Sequence, residues 1–440
     1  MNFPLFFTII TLLFSLSAAQ ATIDVPLKAT TTATGNDVDD CAIWIHPDDP
    51  AKSLVIINDK AVDTDKGGLY IYNLYGELQQ RVTVYRPQNP DIRYNIVFGS
   101  ETMDVLVCAD RESGDQQYNR IRVFRIDPEK DGDEKGFLTE ITTGAGIPTG
   151  QKEAYGHSLY LRPSDGALYS VVSSYGRNDF TQIRLESDGN GKVKGSIVRQ
   201  WGGSDIKGDL CEGICCDDEL GFIYICDENN CVLKYYADPD KGIDTLAGTF
   251  AYEDGIASDR EGINIYRCPD STGYIAVSSQ GNNRIKIYDR VTNAFVGTLA
   301  PEGMKDCDGL DVTASPLGPE FPHGMAAFHL GSFAGSSFGF YDWSEIASGL
   351  DLNPPCDASR PGNENKTGLT YSRNPLPIES PTSVSGRNIP GSSDRIILYN
   401  LQGKLISNPS ENPSESGISL QRHTTRHGKY IEKTVTIVHH

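Results

Sequence analysis

The sequence predicts an all-β protein, a six-bladed β-propeller with a small C-terminal β module. Two observations support this fold class. Six similar strand-like segments recur about fifty residues apart, with one longer step, and helical periodicity is nearly absent from the same region. Repeats of this length with three or four antiparallel strands each are typical of propeller blades. A β-sandwich of irregular strands is the alternative fold.

Each repeat contains a short apolar segment that has the composition of a buried strand. The six segments are LVIIND from Leu54, DVLVCADR from Asp104, LYSVVSSYG from Leu168, FIYICDEN from Phe222, YIAVSSQGN from Tyr274 and HGMAAFHLG from His323. Another strand-like segment precedes each of them, and these begin at Asp40, Asp91, Glu153, Glu212, Glu261 and Asp308. Turn sequences such as RPSDG and DDELG separate the two segments, which predicts hairpins.

The hairpins predict that acidic residues collect at one end of a central channel. If the first segment of each repeat is the innermost strand, the hairpin returns the chain to the rim where it began. Residues on either side of a turn should then be neighbours. The expected neighbours are Glu212 with Glu228, Asp40 with Asp59 and Lys60, Asp91 with Asp110 and Arg111, and Tyr155 with Ser174 and Tyr175.

The composition divides the chain into four parts. Residues 1–21 form an apolar run that ends in Ala19-Gln20-Ala21, which predicts a secretory signal peptide and a secreted protein, extracellular or at the cell surface. The propeller is expected over residues 22–350, a linker rich in Pro, Ser and Asn over 351–393, and the small module over 394–440. Beyond the signal peptide, no segment is apolar enough to span a membrane.

Ten cysteines in an exported protein are compatible with disulfides, but their pairing is not encoded in the spacing. Half of them lie close together, at Cys211, Cys215, Cys216, Cys226 and Cys231. This group has no CxxC spacing and no nearby His, which disfavours a structural zinc site. Disulfides and buried free thiols both remain open.

The net charge of −20 belongs to the predicted propeller. Residues 351–440 carry ten Lys or Arg against eight Asp or Glu, so the first 350 residues hold about −22. An acidic surface disfavours nucleic acid and anionic membranes as partners, and it favours bound cations.

A ring of carboxylates repels itself unless it takes up protons or binds cations. Ligands made only of oxygen suit a hard ion, and many carboxylates with flexible geometry suit Ca²⁺ better than Mg²⁺. Lys60 and Arg111 on the same rim suggest that the ligand is anionic, because Arg matches phosphate oxygens well. The alternative is that the acids are solvated or that they link neighbouring blades.

The motifs DDCAIW, PDIRY, ADRESG, EAYGHSLY, CEGICCDDELGFIYICDEN, REGINIY, SSQGN and DCDGLDV resemble, in order, those of the β-propeller phytases. The resemblance runs from about Gly35 to Ile346. It implies several Ca²⁺ ions and a phosphoric monoester hydrolase of the 3-phytase type. The expected substrate is the calcium complex of myo-inositol hexakisphosphate (phytate), attacked by a calcium-bridged water.

The resemblance also implies roles for individual residues. The catalytic calcium ligands would be Glu212, Glu228, Asp259, Glu261 and Asp308, with Asp40 and Asp91 in metal-binding or supporting positions. Lys60, Arg111 and Tyr155 would contact phosphate. The family has a Lys followed by Glu where this chain has Tyr175 and Gly176, and Arg177 is a potential substitute for the Lys. A five-residue insertion, AVDTD, follows Lys60.

The tail weakly resembles a sorting domain of the type IX secretion system through ILYNLQGKLI and GKYIEK, which makes secretion machinery a potential partner. A monomer is expected. Two other functions remain open: a calcium-dependent lactonase or esterase, and a non-catalytic propeller that calcium stabilises.

Overall fold

Short antiparallel strands account for nearly all of the regular structure, as the sequence predicts. The structure is a computed structural model that describes residues 21–32, 37–63, 65–111, 119–128, 136–208, 210–331, 337–352 and 356–361, together with four short strands of the tail. The predicted signal peptide lies outside the described residues except for Ala21, and so does most of the predicted linker.

Two short strands precede the six blades, and each of the first three blades then follows as one sheet. The first two strands are β1 (Thr22–Val25) and β2 (Ala29–Thr30). Blade one contains β3 (Val38–Trp44), β4 (Leu54–Asp59), β5 (Gly68–Asn73) and β6 (Leu78–Val82). Blade two contains β7 (Pro87–Phe98), β8 (Glu101–Asp110), β9 (Arg120–Ile126), β10 (Leu138–Glu140) and β11 (Ile147–Pro148). Blade three contains β12 (Ala154–Leu161), β13 (Leu168–Ser174), β14 (Asp179–Ser187) and β15 (Val193–Gly202).

The second half of the ring repeats the arrangement. Blade four contains β16 (Ile214–Asp217), β17 (Phe222–Asp227), β18 (Cys231–Tyr236) and β19 (Leu246–Phe250). Blade five contains β20 (Ile263–Arg267), β21 (Gly273–Ser279), β22 (Arg284–Asp289) and β23 (Phe295–Pro301). Blade six contains β24 (Leu310–Thr313), β25 (Met325–His329) and β26 (Phe338–Asp342), and the helix α1 (Trp343–Gly349) follows it.

The six innermost strands, β3, β7, β12, β16, β20 and β24, each contact the next one, and β24 contacts β3. This closed ring confirms the six-bladed propeller. Burial falls from the centre outward because inner strands pack between neighbouring blades. All residues of β4 (LVIIND) are buried, whereas β6 (LQQRV) is exposed or half-buried.

The N-terminal strands close the ring. β2 pairs with β26 and supplies the outermost strand of blade six, and β1 adds a parallel fifth strand to blade five through β23. The outer edges of two blades are therefore covered by residues that precede blade one in the sequence.

Residues 356–361, which we call the strap, cross the propeller on the face opposite the strand starts of the inner ring. A disulfide joins Cys356 to Cys268 at the end of β20 in blade five. Farther along, the Arg360 guanidinium donates from Nε to the Ile45 carbonyl (2.8 Å) and from Nη2 to Asp104. The strap therefore connects blade five to blades one and two, although the sequence predicts a linker here.

The other eight cysteines are buried free thiols. Alternation along β16 places two neighbouring cysteines of blade four on opposite sides of the blade: Cys216 packs into a core cluster with Cys211, whereas Cys215 packs into the cluster on the other side. The sequence left open whether these cysteines form disulfides or buried free thiols. In blade four they are buried free thiols.

The tail, residues 374–440, forms a separate compact unit. Its described strands pair as two hairpins, β27 (Leu398–Tyr399) with β28 (Leu405–Ser407) and β29 (Ile418–Thr424) with β30 (Ile431–Ile437). Among the described residues, no helix is both long enough and apolar enough to cross a bilayer.

Candidate functional site

Three carboxylates from blades four and five meet at the rim where the inner strands begin. Glu228 follows β17, and Asp259 and Glu261 precede β20. One oxygen from each lies within 4.8 Å of the other two. The sequence predicted all three as calcium ligands, and the structure brings them together.

Arg260 fixes the two loops that carry these carboxylates. Its guanidinium turns away from the carboxylates and donates to three backbone carbonyls, including that of Glu228 at 2.8 Å. Its backbone N–H donates to the same Glu228 carbonyl at 3.1 Å. Because adjacent residues of an extended chain point to opposite sides, anchoring Arg260 directs Asp259 and Glu261 together toward the rim.

Asp308, from the loop before β24, joins the cluster through Gln280. The Gln280 amide donates to Glu261 at 2.8 Å and to Asp308 at 2.6 Å. On the other side, the Nδ1 atom of the buried His329 lies 3.3 Å from the Asp308 carboxylate and accepts the Asp308 backbone N–H at 3.2 Å. Asp308 is thus held between two side chains that the sequence analysis did not select.

Lys60, which follows β4 of blade one, reaches Glu212, which precedes β16 of blade four. The Lys60 ammonium contacts Asp39 at 2.5 Å and lies 3.7 Å from Glu212 Oε1. Burial acts to lower the pKa of Lys60, but the charges of Asp39 and Glu212 outweigh it and hold this pKa well above its ordinary value. Lys60 therefore stays protonated in this site.

Burial raises the pKa values of the cluster glutamates, and the neighbouring carboxylates raise them further. The pKa of Glu228 rises to about 7, through burial and then through Asp259. The pKa values of Glu212 and Glu261 also stand well above their ordinary range, for the same two reasons. For Asp308, burial acts to raise the pKa, but the contacts with His329 and Glu261 and the charge of Lys60 together lower it. The glutamates therefore hold their protons more tightly than free carboxyl groups do.

A second group of side chains surrounds Arg111. Its guanidinium carbon lies 5.0 Å from the ring centre of Tyr155 and 4.2 Å from that of Tyr175, and the two rings meet edge to face. Glu153 contacts the Arg111 Nη2 atom at 3.3 Å. The hydroxyl of Tyr155 interacts with Glu212 and Glu228, so this ring connects Arg111 to the acidic cluster.

Two other predicted residues lie apart from the cluster. The Arg177 guanidinium forms a two-pronged pair with Asp179, at 2.9 and 3.2 Å, on the surface of blade three. Asp40 is held by the Asn89 amide at 2.8 Å and by the Cys41 backbone N–H at 2.9 Å, and burial raises its pKa. Their predicted roles stay predictions.

The expectation that Asp91 lies beside Asp110 and Arg111 is wrong. β7 begins at Pro87, which pairs with Asp110, and a register shift places Asp91 opposite Val107, deeper in the blade. There the Asp91 carboxylate accepts from Ser158 Oγ and from the Leu159 N–H, both at 2.7 Å. Asp91 therefore links blade two to blade three, as the alternative interpretation allowed.

Sequence reasoning missed Asp39, Gln280 and His329. Asp39 is the neighbour of Asp40 in DDCAIW, so strand alternation could have indicated that one of the two faces the rim. Gln280 belongs to the quoted motif SSQGN. His329 ends the second strand of the hairpin that Asp308 begins, so the same hairpin argument could have placed the two residues side by side.

A model of the phytase family matches residues 8–359 of this chain. This chain belongs to the phytase family. Among characterised phytases, the 3-phytase of Bacillus subtilis (strain 168) is 33% identical over 337 residues, covering 73% of this chain and 84% of that protein.

Among solved structures, this phytase is similar to the β-propeller domain of Cps50 (Swd1) from Myceliophteria thermophila. The match has a TM-score of 0.38 and 10% identity, covering 69% of this chain and 83% of that one. A similarity at this level supports no inference about function.

Proposed function

We propose that this phytase is a secreted, calcium-dependent phosphoric monoester hydrolase that acts on the calcium complex of myo-inositol hexakisphosphate. It would release phosphate and leave lower inositol phosphates. The observation that carries the proposal is the convergence of Glu228, Asp259 and Glu261 within 4.8 Å, with the Lys60 ammonium of blade one 3.7 Å from Glu212, which precedes the first strand of blade four. The similarity to a 3-phytase supports the substrate.

The chemistry of the cluster fits Ca²⁺. Its donors are carboxylate oxygens, and the Oε1 atoms of Glu212 and Glu228 are buried without a hydrogen-bond partner among the described residues. Buried oxygens of this kind are costly unless something binds them. Glu212, Glu228, Asp259, Glu261 and Asp308 would hold the ions. Bound Ca²⁺ would neutralise the cluster, lower the pKa of an attacking water and offset the charge of the phosphate.

Lys60 and Arg111 would bind and orient the phosphates. An ammonium group has three donors, and the contact with Asp39 uses one of them, which leaves donors for a phosphate oxygen. The guanidinium of Arg111 rests on aromatic rings that position it without occupying its hydrogen-bonding edge. The ring of Tyr155 would lie between Arg111 and the acidic cluster. It would separate these two binding regions by about the width of one ring.

The reaction consumes one water for each phosphate released. A bond forms between the water oxygen and phosphorus, and the ester bond from phosphorus to the inositol oxygen breaks. The inositol oxygen takes up the proton that the water loses, so atoms and charge balance. Positioning and electrostatic stabilisation supply the catalysis of such a step.

Secretion is supported by the disulfide between Cys268 and Cys356, because disulfides persist in oxidising compartments. The signal peptide and the sorting role of the tail remain part of the proposal.

The decisive experiment measures phosphate release from inositol hexakisphosphate in Ca²⁺ and in excess chelator. Wild type should be active only with Ca²⁺, and Glu228→Gln should lose roughly a hundredfold or more of the activity. Glu253→Gln is the matched control because Glu253 is exposed and lies outside the cluster.

Two outcomes would reject the proposal. Ca²⁺ binding without phosphate release from any phosphomonoester would indicate a non-catalytic propeller. Turnover of a lactone or carboxylic ester in place of phosphate esters would indicate the lactonase or esterase.

A further inference from the structure

Arg86 stands directly opposite Arg111 at the rim end of the blade-two hairpin. Pro87 pairs with Asp110 across β7 and β8, and the Arg86 carbonyl accepts the Arg111 backbone N–H at 3.2 Å. The register therefore continues by one residue beyond the two strands. Cross-strand partners of this kind have their Cβ atoms about 5 Å apart, so the two arginine side chains start close together.

The backbone of Arg86 has an unusual conformation. Its φ is +38°, in the left-handed region that residues other than Gly and Asn seldom adopt. Two donors hold its carbonyl, because Gln88 Nε2 also donates to it, at 3.2 Å. Backbone strain of this kind clusters at ligand-binding and catalytic sites.

The place of Arg86 in the ring is between the two cations already assigned to phosphate binding. The Pro87 carbonyl accepts from Asn58 Nδ2 at 2.9 Å, which joins the start of β7 to the end of β4. Lys60 is the first residue after β4, and Arg111 is the first residue after β8. Arg86 therefore lies at the same rim, with Lys60 on the blade-one side of it.

The guanidinium groups of Arg86 and Arg111 both have unused donors. Arg86 is half-buried and forms no ion pair with a described residue, and its buried Nε atom has no hydrogen-bond partner there. The Arg111 side chain is 7% exposed and contacts Glu153, and its Nε atom is likewise without a partner in the described part of the chain. Buried donors without acceptors are costly, and so are like charges opposite each other on a hairpin. An anion that accepts from both arginines removes both costs.

We propose that Arg86 is a further substrate-binding residue, which holds one phosphate group jointly with Arg111. This inference rests on the proposed function, because the phosphate belongs to the same inositol polyphosphate. The Tyr155 ring lies between Arg111 and the acidic cluster, so the shared phosphate is not the one that reacts. Arg86 thus contributes to binding and takes no part in bond making.

The test compares Arg86→Gln, Arg86→Lys and Arg86→Asn in the full chain in Ca²⁺. Hydrolysis of inositol hexakisphosphate gives kcat and KM, and calorimetric titration with myo-inositol hexakissulfate, which carries no phosphate to release, gives a Kd. Arg86→Gln should raise KM and Kd about tenfold to a hundredfold, the effect of one charge-assisted hydrogen bond, and leave kcat unchanged. Arg86→Lys should give a smaller rise, because it keeps the charge and loses the fork.

A purely structural role for Arg86 predicts a different pattern. A residue that only maintains the hairpin would lower the Tm of the ligand-free protein when replaced, whereas removing one of two like charges should leave this Tm unchanged or raise it. Arg86→Asn is the second uncharged variant, because Asn tolerates the left-handed region and keeps the native backbone. It should raise the Kd as Arg86→Gln does. A lower Tm with an unchanged Kd in both variants would overturn the inference.

A double-variant cycle tests whether the two arginines share a phosphate. If they do, Arg86→Gln should change the Kd for the hexakissulfate much less in the Arg111→Gln background than in wild type. Equal effects in the two backgrounds would contradict joint binding. Arg184→Gln is the matched control, since the Arg184 side chain in blade three is 43% exposed and is paired with Glu186.

The same preparations separate this inference from the proposed function. If wild type releases no phosphate but its Kd for the hexakissulfate depends on Arg86, the hydrolase assignment fails and the role of Arg86 in anion binding stands. If phosphate is released and neither KM nor Kd depends on Arg86, the role of Arg86 fails and the hydrolase stands. If the hexakissulfate does not bind wild type, the inference is rejected.

Discussion

Lys60 and Asp39 form a salt bridge with 2.5 Å between Nζ and Oδ1, at the edge of a cluster of carboxylates. The two side chains differ in exposure: that of Lys60 is 19% exposed, whereas that of Asp39 is 1% exposed. The cation thus compensates a buried acid on one side and is accessible to a ligand on the other. Losing Lys60 should therefore affect both stability and binding.

Lys60→Met is expected to destabilise the metal-free protein by about 3 kcal/mol, because a buried carboxylate loses its partner. It should also raise KM for inositol hexakisphosphate by about tenfold to a hundredfold, the effect of one charge-assisted hydrogen bond. Chemical denaturation in chelator and steady-state kinetics in Ca²⁺ measure the two effects.

Lys66→Met is the matched control for this variant. Lys66 follows in the same loop, and its side chain is 54% exposed and lies 4.0 Å from Asp63. An exposed pair of this kind contributes little. Equal losses of stability in the two variants would contradict the role assigned to Lys60.

Metal-free protein should lose stability as the pH rises through about 7. The pKa of Glu228 is about 7 in the folded protein against an ordinary value of 4.5, so the folded state binds this proton more tightly. The stability from this group is fully present below about pH 4.5 and disappears as pH rises through the folded value. The expected loss is roughly 3 kcal/mol at most.

Glu228→Gln tests the cause of that pH dependence. Between pH 5 and 8.5 in chelator, the free energy of unfolding should fall less steeply for the variant than for wild type, because the variant has no proton to lose at this position. Urea denaturation at several pH values gives the comparison. Identical slopes would show that Glu228 does not titrate in this range.

Calcium should stabilise wild type more at pH 8 than at pH 5.5, because protons compete for the same carboxylates. At a free Ca²⁺ concentration of 100 times the Kd, one site adds about 2.7 kcal/mol. The rise in Tm on adding Ca²⁺ measures this, and Glu253→Gln should behave as wild type. A Tm that does not respond to Ca²⁺ or to chelator would contradict calcium binding.

The disulfide between Cys268 and Cys356 should contribute to the free energy of unfolding but not to the rate of hydrolysis. Cys268 and Cys356 are 88 residues apart in sequence, so reducing the bond frees a long loop in the unfolded chain. Replacing both with Ser should cost about 2 to 5 kcal/mol and leave kcat at low temperature near the wild-type value. Denaturation with and without a thiol reductant supplies the check, since reductant should lower the stability of wild type but not that of the double variant.

The repeat pattern was sufficient to predict the fold, and the acids beside the DDELG hairpin were sufficient to locate part of the site. A hairpin is local in sequence, so the positions of Glu212 and Glu228 follow from one turn. Tyr155 and Tyr175 follow from the same reasoning in blade three, and their rings do meet.

Register shifts and contacts between blades could not be predicted in this way. The irregular pairing at the start of β7 moves Asp91 away from the rim, and nothing in PDIRY indicates that shift. The contacts of Arg260 with the Glu228 carbonyl and of Lys60 with Glu212 join residues of different blades. A single sequence carries no record of such pairs.

The strap sets a practical limit on how this propeller can be produced in isolation. A recombinant fragment ending at Leu350, the boundary suggested by the change in composition, would discard Cys356 and Arg360 and leave Cys268 as an unpaired thiol. A fragment that extends through Pro361 and begins no later than Thr22 would retain both the covalent fastening and the edge strand β1. Crystallisation or immobilisation of the catalytic unit should start from that longer fragment.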